Sequence, residues 1–123
     1  MPNRDEHLAQ ATHNTRFYNS FDKATYSDWA ATVLFYTGLQ YIDAFLATRG
    51  GGIHPGRHAV RDNLVNTVAE LRPIAVDYLK LKSSSETARY FPSARFPPEH
   101  VRKLEQVHLS RIATELRKYV RVP

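Results

Sequence analysis

The sequence predicts an all-α domain, an antiparallel (up-down) bundle of four to five helices. Apolar residues recur at intervals of three and four in several segments. Strand-like alternation is scarce, and no Asn-Gly or Asp-Gly pair signals a hairpin. Glycines and prolines divide the chain into segments of helical length. Because 123 residues suffice for one core, we expect residues 1–123 to form a single domain.

The first two segments have the strongest helical patterns. The first is predicted over about residues 5–21, and its apolar face comprises Leu8, Ala11, Thr15, Phe17, Tyr18 and Phe21. The second is predicted over about residues 27–48, with Ser27 or Asp28 as its cap. Its two apolar faces are Trp29, Val33, Tyr36, Gln40, Asp43 and Ala44, and Ala30, Leu34, Thr37, Tyr41 and Phe45. A helix that is apolar on two faces is expected at the centre of a bundle.

The remaining segments follow the three consecutive glycines. A third helix is predicted to begin after His54, with Pro55 in its first turn. Its expected buried stripe is Val60, Leu64, Thr67, Val68 and Leu71. Pro73 either kinks this helix or begins the next, which would bury Ile74, Tyr78 and Leu81. Residues 83–85 are predicted to form a turn, followed by a short helical segment over residues 86–90. A last helix is predicted over about residues 98–120, and its expected buried residues are Val101, Leu104, Leu109, Ile112 and Leu116.

Composition narrows the functional classes. There are no cysteines, which excludes disulfides, thiolate metal sites and cysteine nucleophiles and suits a reducing compartment. The charged N-terminal residues do not resemble a signal peptide, and polar residues interrupt the mainly apolar stretch 29–46. We therefore expect a cytoplasmic protein that neither spans nor binds a membrane.

The basic charge indicates an anionic partner or a solubilising surface, and the sequence leaves both open. The formal net charge is +5, and arginine outnumbers lysine 12 to 5. Because guanidinium groups pair well with phosphate, RNA or a nucleotide is the expected anion. The last predicted helix, counted together with Arg121 directly after it, carries six basic and three acidic residues and could guide an RNA strand.

A histidine and arginine cluster is the main candidate for chemistry. His54, Arg57, His58 and Arg61 lie within eight residues at a loop-to-helix junction. Imidazole can transfer a proton near neutral pH, and guanidinium can neutralise charge on a phosphate. His54, His58 and Arg61 are therefore the predicted catalytic residues of a metal-independent RNA cleavage, and Arg57 would bind substrate. The competing interpretation is a cationic loop whose histidines cap the helix or face solvent.

Metal and nucleophile chemistry have weaker support. His54 and His58 could hold zinc only with a distant third ligand such as His7, His13 or Asp62. A single Glu105-x-x-His108 pair matches half of a di-iron motif. The sequence contains no Gly-x-Ser-x-Gly, phosphate loop or dinucleotide motif. We expect no metal and no cofactor.

Aromatic residues supply two further hypotheses. Trp29, Phe35, Tyr36, Tyr41 and Phe45 are expected in the core rather than on a base-stacking platform. Arg89 and Tyr90 could bind a phosphate and a base of a substrate, or could close the bundle as an amphipathic pair.

Several short motifs, taken together, occur along most of the chain. They are Asp28-Trp29-Ala30, Phe35-Tyr36, residues 40–46 (Gln-Tyr-Ile-Asp-Ala-Phe-Leu), His54, His58, Arg61, Tyr78-Leu79 and Ser85-x-x-Ala88-Arg89-Tyr90. In this combination the chain resembles the HEPN superfamily of helical nucleotide-binding domains, and most of all its short stand-alone members.

The resemblance implies an up-down helical bundle that often forms homodimers. Many members are metal-independent ribonucleases of toxin-antitoxin, phage-defence or RNA-processing systems, whereas others only bind RNA or a cognate protein partner. Active members carry arginine followed by histidine after four to six residues. The formal matches here are Arg49/His54, Arg95/His100 and Arg102/His108, whereas His58 precedes Arg61 in the preferred cluster. Catalysis and a non-catalytic regulatory role both stay open on this pattern.

Overall fold

The computed structural model describes residues 1–49 and 52–123, and over these residues the chain forms five helices and no strand. They are α1 (Arg4–Tyr18), α2 (Ser27–Ala47), α3 (His58–Thr67), α4 (Ala75–Tyr90) and α5. Helix α5 consists of three consecutive stretches, Pro98–Lys103, a π-helical turn Leu104–Leu109, and Ser110–Leu116. The predicted all-α class is confirmed. The up-down order of the helices stays a prediction.

Helix α1 begins with a reciprocal cap. The Asn3 side chain accepts a hydrogen bond from the Glu6 amide at 2.9 Å, and the Glu6 carboxylate accepts one from the Asn3 amide at 3.2 Å. These bonds satisfy two amide groups at the helix start that lack intrahelical partners. The helix buries Ala11 and Tyr18, but Thr15 and Phe17 of the predicted apolar face are exposed.

Helix α2 is the central helix, as its two apolar faces predict. It packs against α1, α4 and every stretch of α5, and Phe35, Ile42 and Leu46 are fully enclosed. Two expectations for its first turn are wrong. The Ser27 hydroxyl accepts a hydrogen bond from the Phe96 amide at 2.8 Å instead of capping the helix. Trp29 is 55% exposed although the adjacent Ala30 and Ala31 are fully buried, so its side chain lies on the solvent-facing side of α2.

Helix α3 begins later than predicted, and only part of its predicted stripe is buried. Its first residue is His58, so Pro55 lies in the preceding loop. Of that stripe, Leu71 is buried and Leu64 and Val68 pack partly buried against the core. Val60 and Thr67 are exposed, and Arg61 and Val65 are buried instead. Arg61 is directed inward by its ion pair with Asp43 of α2. A 3₁₀ stretch, Ala69–Ile74, contains Pro73 and leads into α4.

Helix α4 continues through the predicted serine turn. Ser84 and Ser85 are buried within it, so the turn over residues 83–85 is wrong. Their hydroxyls have partners in His100 and Arg89, which offsets the weak helix preference of serine. Gly38 of α2 permits close packing of α2 against α4, because a Cβ there would lie 3.2 Å from Leu81 of α4.

Within the described residues, no helix combines the length and apolar character that a membrane span requires.

Candidate functional site

The predicted residue Arg61 is part of a buried ion pair with α2. Its Nε and Nη2 each donate a 2.8 Å hydrogen bond to one carboxylate oxygen of Asp43. Nη2 also donates to the Pro55 carbonyl at 3.3 Å, which ties the preceding loop to α3. Burial alone would lower the pKa of Arg61, but the hydrogen bonds and negative charge of Asp43 outweigh burial and raise it. Arg61 therefore holds α2, α3 and the loop together.

A second polar cluster joins α3 to α4. The Tyr78 hydroxyl donates to Asp62 Oδ1 at 2.6 Å, and Lys82 forms an ion pair with Asp62 Oδ2. Burial would raise the pKa of Asp62, but the hydrogen bonds from Lys82 and Tyr78 lower it below its ordinary value. Burial and the bond to Asp62 raise the pKa of Tyr78, so this phenol remains protonated. The cluster brings a cation within electrostatic range of His58.

His58 is a partly buried imidazole among positive charges. Its ring lies 5.9 Å from the Phe35 ring and 6.3 Å from the Tyr36 ring, measured between centroids. Burial lowers its pKa, and nearby cations lower the pKa further. These cations are Arg61, Arg89 and Lys82, in decreasing order of effect. The neutral form of His58 is therefore favoured at neutral pH.

The contact with Arg61 determines which ring nitrogen of neutral His58 carries the proton. Arg61 Nη1 lies 3.3 Å from His58 Nδ1. Because guanidinium can only donate, Nδ1 accepts and the proton resides on Nε2. Within residues 1–49 and 52–123, Nε2 has no hydrogen-bond partner, so it is available as a donor to a ligand.

Arg89 connects His58 with the aromatic residues of α2. Its Nη1 donates to the Tyr36 hydroxyl at 3.1 Å, and its Nε donates to Ser85 Oγ at 3.1 Å. The guanidinium carbon lies 5.3 Å from the centroid of the Tyr90 ring, which is 67% exposed. The predicted pair Arg89 and Tyr90 is thus at the surface, next to a ring that also contacts His58.

Trp29 and Arg89 border one shallow cavity. This cavity of about 200 Å³ lies between the start of α2 and the end of α4, and is lined by Asp28, Trp29, Thr32, Ala88 and Arg89. Trp29, Thr32 and Tyr36 recur at helical spacing and share one side of α2. We name the surface formed by Trp29, Thr32, Tyr36, His58 and Arg89 the Arg89 face.

The other two predicted residues of the cluster, His54 and Arg57, have different surroundings from His58. The His54 ring packs over Gly52, since a Cβ on that glycine would lie 3.0 Å from His54 Nε2. Gly52 has a φ of +74°, which lets the loop turn back beneath the ring. Arg57 is exposed at the start of α3. Among the described residues, no hydrogen bond or ion pair joins the His54 or Arg57 side chain to His58 or Arg61. Of the predicted set, only His58 and Arg61 are bonded to each other.

The arginines of the three formal Arg/His matches form ion pairs with acidic residues. Arg49 pairs with Glu70, Arg95 with Asp28 at 3.5 Å, and Arg102 with Glu99 at 3.7 Å. Over the ranges 1–49 and 52–123, no hydrogen bond links any of them to the histidine of its match. These matches do not assemble a site in one chain.

Three of the residues considered for metal binding form hydrogen bonds with other side chains. His7 forms a 2.7 Å hydrogen bond with Gln40, His108 forms one of 2.8 Å with Asp77, and Glu105 accepts one from Tyr18 at 2.9 Å. In the part of the chain that the structure describes, no three His, Cys, Asp or Glu residues are grouped as metal ligands.

Sequence reasoning missed the partners that organise the cluster. Asp43 could have been found, because a lone carboxylate in an apolar helix requires a buried cation. The pairing of Asp62 with Tyr78 and Lys82 had no signal, since these residues are 16 and 20 positions apart and meet only when α3 packs on α4. Exposure of Trp29 likewise depends on which sides of α2 the neighbouring helices cover.

Comparison of the chain with protein-family models, with curated proteins and with solved structures finds no match.

Proposed function

We propose that the chain is an HEPN-like domain that binds single-stranded RNA or a nucleotide on the Arg89 face. The observation that carries this proposal is the position of Arg89, which borders the cavity of exposed Trp29 and bonds to Tyr36 beside His58. A cation, a neutral imidazole donor and an indole are thereby available on one surface. The net charge of +5 and the resemblance to the HEPN superfamily support the same choice of ligand.

Each side chain has a distinct role in this proposal. A base stacks on the Trp29 indole, an interaction that tolerates any base. Arg89 pairs with a phosphate, and the Nε2–H of His58 donates to an oxygen of the same or the next phosphate. Trp29 and Tyr36 are seven residues apart on α2, a rise of about 10 Å. The Arg89 face therefore accommodates a short stretch of strand rather than a single ion.

Binding fits this geometry better than cleavage. A general base at Nε2 would need the proton on Nδ1, where it would meet the Arg61 guanidinium, another donor. Arg61 itself directs its donors to Asp43, the Pro55 carbonyl and His58, so it acts as a positioning residue and not as a phosphate ligand. We therefore propose a non-cleaving domain, which acts in the cytoplasm as part of an RNA-processing or defence system.

RNA binding by matched variants tests the proposal. We expect labelled single-stranded RNA to bind with an affinity that falls strongly as salt concentration rises. Arg89→Gln and Trp29→Ala should each weaken binding about tenfold, because one stacking or charged contact contributes about 1–3 kcal/mol. Arg72→Gln, at an exposed site on the 3₁₀ stretch, removes the same charge elsewhere. An equal loss in Arg72→Gln and Arg89→Gln would show unspecific attraction and reject the Arg89 face.

The same samples test cleavage. We expect the RNA to remain intact on incubation with the wild-type protein in the absence of added metal. Cleavage that disappears in His58→Ala would contradict the non-cleaving proposal and assign the imidazole an acid or base role.

An exposed aromatic groove supports a second candidate function, a module that binds a protein partner or a second copy. The groove of about 270 Å³ is lined by Phe17, Phe21, Tyr26 and Trp29. Three of the four side chains are about half exposed, which is unusual for rings that contact one another. Light scattering tests the homodimer: Phe17→Ser should shift a dimer to monomer, whereas Arg89→Gln should not. A wild-type monomer at all concentrations would reject self-association.

A further inference from the structure

Helix α4 has a second polar side, away from the Arg89 face. Tyr78, Lys82 and Arg89 point toward α2 and α3, whereas Asp77 and Ser84 bond to residues of α5. Between α4 and α5 lies a cavity of about 200 Å³, which we name the α4–α5 cavity. Its lining residues are Lys80, Ser84, His100, Lys103, Leu104 and His108. The cavity is therefore surrounded by donors and cations from two helices.

The back of the cavity contains a fixed imidazole. His108 is 7% exposed, and its Nδ1 lies 2.8 Å from Asp77 Oδ1. Because the carboxylate accepts, His108 Nδ1 donates and Nε2 is the nitrogen left for another partner. Asp77 also lies 3.6 Å from Arg111 Nη1, so its charge is shared between two donors. His108 belongs to the π-helical turn, a feature that often occurs at functional sites.

The wall of the cavity contains a serine and a second imidazole. Ser84 is more than nine-tenths buried, and its Oγ lies 2.9 Å from His100 Nε2. The Phe96 ring stacks on the His100 ring at 4.8 Å and fixes its orientation. Burial lowers the pKa of His100, and the nearby His108 and Lys103 lower it further. This local positive potential opposes a cation and favours an anion.

We propose that the α4–α5 cavity binds a tetrahedral oxyanion, in chemical terms a phosphoryl group. The ammonium groups of Lys80 and Lys103 neutralise its charge at the mouth. The Ser84 hydroxyl, whose oxygen accepts the His100 Nε2–H, donates a hydrogen bond inside the cavity, and a protonated His108 ring donates a second one through Nε2. A volume of about 200 Å³ holds a phosphoryl group with a few waters, because one water occupies about 30 Å³. The proposal stands independently of RNA binding on the Arg89 face.

Titration with inorganic phosphate, followed by NMR of the histidine rings, tests this site. We expect saturable shifts of the His100 and His108 signals, with chloride at matched ionic strength as the reference. Lys103→Gln and Ser84→Ala should each weaken phosphate binding about tenfold, the effect of losing one charge-assisted hydrogen bond. Arg102→Gln is the matched control, since it removes a neighbouring exposed charge that pairs with Glu99.

A second titration, with adenosine monophosphate, identifies the source of the group. Equal affinity indicates a free oxyanion, and tighter binding indicates a phosphate carried by a larger molecule. His58→Gln should leave both titrations unchanged, which separates this site from the Arg89 face. Shifts that do not saturate, or an equal loss in Arg102→Gln and Lys103→Gln, would overturn the proposal.

Discussion

Arg61 of α3 and Asp43 of α2 form a two-point ion pair in which both side chains are 7% exposed. The Nε–Oδ1 and Nη2–Oδ2 distances are both 2.8 Å. Such parallel geometry is the strongest arrangement for these groups, and it satisfies both carboxylate oxygens. The pair fixes the end of α3 that carries His58. Arg61, which the sequence suggested as a phosphate ligand, therefore links two helices instead.

Breaking this pair should strongly destabilise the protein. We expect Arg61→Met to lower the free energy of unfolding by about 3–5 kcal/mol, because Asp43 is then a buried charge without its partner. The double variant Arg61→Met/Asp43→Leu should be less destabilised than Arg61→Met alone. Urea denaturation measures both. A loss for Arg61→Met no larger than that for Lys118→Ala, at an exposed pair with Glu115, would contradict this assignment.

His58 should make the protein less stable in mild acid. Its pKa in the fold is below the ordinary value of about 6.5, so the folded state binds fewer protons than the unfolded chain in this window. The stability contributed by neutral His58 is therefore present above about pH 6.5 and is lost as pH falls toward the lower, folded pKa. His100 shifts in the same direction and adds to the loss. His58→Gln should reduce the fall in unfolding free energy between about pH 7.5 and pH 5.

NMR titration of the His58 ring checks the cause of this effect. Because Arg89 contributes positive charge near the ring, Arg89→Gln should raise the pKa of His58 toward its ordinary value. A wild-type pKa above the ordinary value of histidine would refute the environment described for His58.

Removing the Tyr78 hydroxyl should weaken the contact between α3 and α4. We expect Tyr78→Phe to cost about 1–2 kcal/mol of unfolding free energy, since the ring still packs but the 2.6 Å bond to Asp62 is lost. The control Tyr119→Phe, at a half-exposed ring packed on Phe45, should cost less than about 0.5 kcal/mol. Equal effects in thermal or urea unfolding would show that the Asp62 bond adds nothing.

The single tryptophan makes the Arg89 face directly observable. Trp29 is the only indole of the chain, so its fluorescence reports a base stacked upon it. Single-stranded RNA should quench this emission to saturation, and Arg89→Gln should move the midpoint to about tenfold higher RNA concentration. Sodium polyphosphate, which has charge but no bases, should bind without comparable quenching. Quenching by polyphosphate equal to that by RNA would argue against stacking.

Much of the fold followed from residue spacing, whereas the site did not. The apolar faces of α2 predicted its central place because periodicity depends only on neighbouring positions along one helix. The same pattern placed Trp29 inside, but the packing of the neighbouring helices decides which sides of α2 are covered, and Trp29 is exposed where Ala30 and Ala31 are buried. The serines 83–85 looked like a turn because their partners, His100 and Arg89, could not be known from local sequence.

The sequence alone determined that this chain is helical, where its main helices lie and that it carries excess positive charge. Tertiary structure decided which polar residues meet: Arg61 with Asp43, Asp62 with Tyr78, and Ser84 with His100. The physical reason is the separation along the chain of the residues that each feature depends on. Helical periodicity is encoded within a few residues, whereas a buried hydrogen bond joins side chains whose separation is fixed only when whole helices pack together.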